Sequence, residues 1–100
     1  MKYYKLTPKQ EILDTAVWNA NSVHFQHAIV QATDEMEARC IAEMNYGISY
    51  EKNISSKGLW LNKQYVDIDE IDGYSFNQLP KPFEILSIEA NYNIFNATMH

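Results

Sequence analysis

Ser22-Val23-His24-Phe25-Gln26-His27-Ala28-Ile29-Val30-Gln31 runs into Ala32-Thr33-Asp34-Glu35-Met36-Glu37, and this stretch settles the architecture. The first ten residues alternate with the period-2 rhythm of a half-buried strand. On that phase Val23, Phe25, His27 and Ile29 share one face, expected toward the core, and His24, Gln26, Ala28 and Val30 share the other. A helix over 34–46 follows. Thr33 or Asp34 is its N-cap, and Asp34 and Glu37 stand at capping-box spacing. Asp34, Glu35 and Glu37 place negative charge at the positive end of the helix dipole. Ala38, Ile41, Ala42 and Asn45 form one stripe, widened by Met36, Cys40 and Met44. Arg39 lies four residues after Glu35, at ion-pair spacing. Gly47 is expected to end the helix in a left-handed turn. A strand feeding a capped amphipathic helix reads as α+β.

Outward from this unit, Lys2–Leu6 reads as a first strand. Two readings compete for residues 8–18. In one, Thr7 caps a helix with Pro8 at its first position and Gln10 completing a capping box. In the other, Thr15–Trp18 is a strand. Ile48–Glu51, Leu59–Leu61 and Tyr65–Ile68 read as strand material, and 53–58 as a loop. Asp72-Gly73 marks a turn, and Leu79-Pro80-Lys81-Pro82 is extended by its prolines. Phe83–Glu89 is the last strand. The expected fold is an antiparallel sheet of three to five strands with the 34–46 helix packed on one face. The domain spans 1–90 and a polar tail spans 91–100. Val23, Phe25, Ile29, Ala38, Ile41, Ala42, Trp60, Leu61, Val66, Ile85, Leu86 and Ile88 are the expected core.

One hundred residues suit one domain, and 46% hydrophobic with 21% charged residues is ordinary for a globular chain. No apolar run exceeds three residues, and no apolar segment follows Met1-Lys2-Tyr3-Tyr4-Lys5, so the reading is cytoplasmic, with no membrane contact. The single Cys40 excludes an internal disulfide and a multi-cysteine zinc site. It reads as a small apolar core residue. The net charge of −5 argues against direct nucleic-acid binding and suits a protein partner with a basic surface.

Candidate chemistry is sparse. Asp67, Asp69, Glu70 and Asp72 are the densest charge cluster. Asp67-Ile68-Asp69 opens like a calcium loop, but Ile71, Asp72 and Gln78 break the ligand pattern, so no metal is assigned. His24 and His27 would point to opposite faces of a strand and could not share a metal ion. The three glycines are too scattered for a phosphate loop, and no nucleophile elbow is present. No catalytic residue and no cofactor are assigned. Trp60, Tyr65 and Tyr50 flank the 55–58 loop. They read either as core aromatics or, among seven tyrosines and two tryptophans, as part of a contact surface.

Phe25–Ala42 resembles a pattern in small proteins of phages and other mobile elements, anti-CRISPR-like inhibitors and integron-cassette proteins among them. The pattern is a strand ending in alanine plus a capping residue, here Ala32-Thr33-Asp34. An acidic helix follows with Glu37-Ala38-Arg39 and then Ile41-Ala42. The resemblance implies a small α+β domain, often ferredoxin-like, whose surface carries its function, and it transfers no catalytic residue.

Three functions follow. The first is a non-enzymatic inhibitor that occludes a basic groove on a larger complex. In it Asp67, Asp69, Glu70 and Asp72 make the contact and Trp60, Tyr65 and Tyr50 anchor it. The second is a small-ligand-binding domain with a pocket between sheet and helix, dimeric through an edge strand. The third is a small enzyme using His24 or His27 with carboxylates.

Overall fold

The computed structural model describes residues 1–48, 58–72, 78 and 84–88. Strand β1 (Lys2–Pro8) leads into two short helices, α1 (Gln10–Leu13) and α2 (Ala16–Asn21). Strand β2 (Ala28–Ala32) and helix α3 (Glu35–Tyr46) follow. A 3-10 turn over Leu59–Leu61, strand β3 (Val66–Ile71) and strand β4 (Ile85–Leu86) complete the described chain. The fold is α+β, with one four-stranded sheet in the order β3-β1-β2-β4. β1 pairs antiparallel with β2 (Leu6 opposite Ala28) and with β3 (Lys5 opposite Asp69). β4 joins β2 in parallel, so the sheet is mixed. This is not the β-α-β-β-α-β order of a ferredoxin-like domain, because two helices separate β1 from β2 and those strands are antiparallel neighbours. The expected tail over 91–100 lies outside the described residues.

Alternation along β1 puts Tyr4, Leu6 and Pro8 on the buried face. Across the ladder Ala28, Val30 and Ala32 do the same in β2, and with Ala38, Ile41 and Ala42 of α3 they belong to the core cluster. The small alanines let helix and sheet approach closely, and Trp18, Leu59, Trp60 and Val66 fill the rest. These side chains occupy the sheet–helix interface, where the ligand-binding expectation placed a pocket.

Several local expectations shift. Thr7 and Pro8 do not start a helix, because β1 runs through both and pairs them with Asp67 and Val66. Residues 10–21 are helical but broken at Asp14. There Thr15 caps α2: its Oγ1 accepts from the Trp18 N–H at 3.2 Å and donates to the Ile12 carbonyl at 2.7 Å. The strand expected from Ser22 starts only at Ala28, and its face assignment is inverted. Val23 is 62% and Phe25 46% exposed, whereas Ala28, Val30 and Ala32 point to the core. Ile29 is buried too, but on the sheet face opposite α3. Because the strand period is two, placing the core on the odd-numbered residues flips every side chain.

Cap expectations hold better. Asp34 accepts from the Glu37 N–H at 2.9 Å, and Glu37 reaches back to the Thr33 N–H at 3.0 Å, one residue further than in a strict capping box. Gly47 is not left-handed, since its φ is −74°. It is required for another reason: a Cβ there would collide with the Glu43 carboxylate and main-chain carbonyl. Gly47 also bridges to Ser22, tying the end of α3 to the segment after α2. Leu59–Leu61 is a 3-10 turn entered through a left-handed Gly58 (φ 61°) rather than a strand. Leu61, Ile85 and Ile88 are exposed, and so are Met36, Cys40 and Met44, because α3 turns only the Ala38–Ile41–Ala42 side inward.

Candidate functional site

Among the expected contact residues, the structure separates what the sequence groups. Trp60 is fully buried and cannot anchor a partner. Its backbone N–H donates to Glu43 Oε1 at 3.0 Å, and its carbonyl accepts from Arg39 Nη1 at 3.2 Å, so both α3 side chains grip it. Arg39 is itself buried, and burial pulls its pKa below the ordinary value while Glu35 and Asp67 oppose that shift. Tyr65 is half-buried against the core. Tyr50 lies outside the described residues. Asp67, Asp69, Glu70 and Asp72 are all exposed, but Glu70 alternates away from Asp67 and Asp69 on β3 and sits 3.6 Å from the Lys2 ammonium. β3 is an edge of the sheet, where charged side chains discourage pairing with another chain.

A different constellation is brought together by the hook from Ser22 to His27. Ser22 is buried, and its hydroxyl donates to the His24 carbonyl at 3.0 Å. It accepts from the His24 N–H and from Trp60 Nε1, each at 3.2 Å. Trp18 Nε1 donates to the same His24 carbonyl at 2.8 Å. These bonds satisfy polar groups that would otherwise be buried unpaired, and they hold the hook against the aromatic core. The His24 ring stacks on Tyr46, with centroids 3.9 Å apart and planes 6° from parallel. His24 Nε2 lies 3.0 Å from the His27 carbonyl. A carbonyl only accepts, so Nε2 is the donor in this contact. Tyr46 in turn donates from its hydroxyl to Glu84 Oε1 at 2.6 Å. Burial, that bond and the Glu84 charge all push the Tyr46 pKa up, so the phenol stays protonated.

Beside this cluster lies a cleft of about 840 Å³. Its polar lining includes Lys5, Thr7, His24, His27 and Glu84, and its apolar lining includes Leu13, Phe25 and Ile29. Lys5 and Thr7 come from the β1 face opposite the core. His27 and Ile29 continue that face across the ladder. His27 is pushed below its ordinary pKa, first by burial, then by the Lys5 and His24 charges.

The two histidines thus meet in one cleft, contrary to the expectation that they point apart, because residues 22–27 form a hook and not a strand. Their spacing was visible in the sequence. Lys5, Thr7 and Glu84 carried no signal, since only the sheet register and the fold of the hook bring them close. Among the described residues no group of three His, Cys, Asp or Glu is placed to hold a metal ion. The Ser22 hydroxyl meets backbone and Trp60 rather than an imidazole, and Cys40 is exposed on α3, away from the cleft lining. What the lining can do is donate and accept hydrogen bonds around an apolar floor. Among the described residues no helix is long and apolar enough to cross a membrane. No protein-family model, no curated protein and no solved structure matches the chain.

Proposed function

We propose that this protein is a binding domain for a small molecule held in the cleft between the outer face of β1–β2 and the Ser22–His27 hook. One observation carries the reading: a cleft of about 840 Å³ in which polar side chains of β1, the hook and Glu84 converge beside the apolar Leu13 and Phe25. That size and that mixture are those of ligand sites, which run from about 300 to 1,000 Å³. The hook that forms one wall is held by hydrogen bonds to the buried Trp18 and Trp60, so the wall stands before a ligand arrives.

A screen of neutral, anionic and cationic small molecules by amide chemical-shift mapping tests it. A ligand should shift Thr7, Leu13, His24, His27 and Ile29 saturably. Absence of any saturable shift at these residues overturns the reading. Exposed Asp67, Asp69 and Glu70 on the β3 edge support a second reading, a module that captures a basic protein surface. It gains if the screen is silent and salt-sensitive capture of a partner maps to β3.

A further inference from the structure

The cleft is chemically lopsided. Lys5, on its β1 wall, makes no ion pair within 4 Å among the described residues, although Asp69 is its register partner on β3. Lys5 thus lines the cleft without an ion-paired carboxylate among the described residues. On the β2 side His27 is half-buried, and its ring has no hydrogen-bond partner among the described residues. His24 adds a second imidazole on the hook. The one carboxylate among the described lining residues, Glu84 before β4, is already engaged by the Tyr46 hydroxyl. Asp67 and Asp69 flank Thr7 and Lys5 on the β3 side but do not line the cleft. Leu13 and Phe25 supply apolar surface beside the cations.

We infer that the cleft takes an amphiphilic monocarboxylate whose head sits between Lys5 and His27 and whose apolar body lies on Leu13 and Phe25. This rests on the ligand-binding reading above and names the ligand class. Among the described lining residues Lys5 is the one permanent cation, with the His24 and His27 imidazoles beside it; that matches a single negative charge, and Glu84 in the same lining repels a dianion. A bound carboxylate next to His27 stabilises the imidazolium. Affinity therefore rises as pH falls toward the range where His27 accepts a proton, provided the ligand, with an ordinary carboxylic pKa of about 4–5, stays ionised.

The experiment is calorimetric titration with decanoate, decanol and inorganic phosphate at about pH 7.5 and pH 5.5, with shift mapping of the bound site. Decanoate should bind one-to-one at the cleft, about tenfold or more tighter than decanol or phosphate. Its affinity should rise about threefold or more at the lower pH in the native protein and stay flat in His27→Gln. Lys5→Gln should weaken decanoate about tenfold and leave decanol unchanged. Both variants alter partly exposed side chains, and circular dichroism verifies their folding. Decanol binding as tightly as decanoate overturns the charge recognition while the ligand-binding reading stands. Phosphate binding as tightly as decanoate overturns the apolar half. If no probe binds, the inference falls, and the broader screen alone decides the cleft's function.

Discussion

Ser22 shows how much one hydroxyl can decide. It is buried and serves three polar partners: it accepts from the His24 N–H and Trp60 Nε1 and donates its proton to the His24 carbonyl. Ser22→Ala leaves the Trp60 indole N–H and the His24 amide without that acceptor. The expected loss is about 1–3 kcal/mol in urea unfolding. The His24 ring resonances should also move, because the hook is no longer tied to the core. An unchanged midpoint would show that the Trp18 bond to the His24 carbonyl and the ring stacking hold the hook without the Ser22 hydroxyl. His27 makes a different prediction. Its folded pKa lies below the ordinary 6.5, so the unfolded chain takes up the proton first. The stability linked to His27 is complete above about pH 6.5 and falls as the pH drops toward the folded value. Thermal melts from pH 7.5 to 5 should show the native protein losing more stability than His27→Asn. Parallel curves would mean that burial and Lys5 do not act on this ring.

At the scale of elements, α3 is the most self-contained. Its start is set by Asp34 and Glu37, its buried side by Ala38, Ile41 and Ala42, and its end by the close approach of Glu43 to Gly47. Asp34→Ala should cost about 1 kcal/mol, read by chemical denaturation, and Asp34→Asn only a few tenths. Equal losses in the two would show that helix-dipole charge, not the cap bond, is what matters. The elements also show where local pattern misleads. Val23 and Phe25 carry a strand's alternation, yet they are exposed on a hook. The deciding contacts, Trp18 to His24 and Trp60 to Ser22, join residues 6 and 38 positions apart. The α1–α2 break is the opposite case, a local signal at Thr15 masked by a stronger-looking helix start at Pro8.

Across the whole molecule, one layer of helix packs on one face of the sheet, and the cleft occupies the other. The acidic residues end up on an edge strand, the aromatics in the core, and the ligand-type lining where β1, β2 and the hook meet. Local pattern alone set the α+β class, the capped α3, strand β1 and the part of the core made by Ala38, Ile41, Ala42, Trp60, Val66 and Leu86. Those follow from composition, periodicity and caps, which act over a few residues. Tertiary structure alone decided the phase of β2 and the splitting of the acidic cluster. It alone joined Lys5, His24, His27 and Glu84 around one cleft. Those depend on sheet register and on hydrogen bonds between distant residues, and no local pattern encodes either.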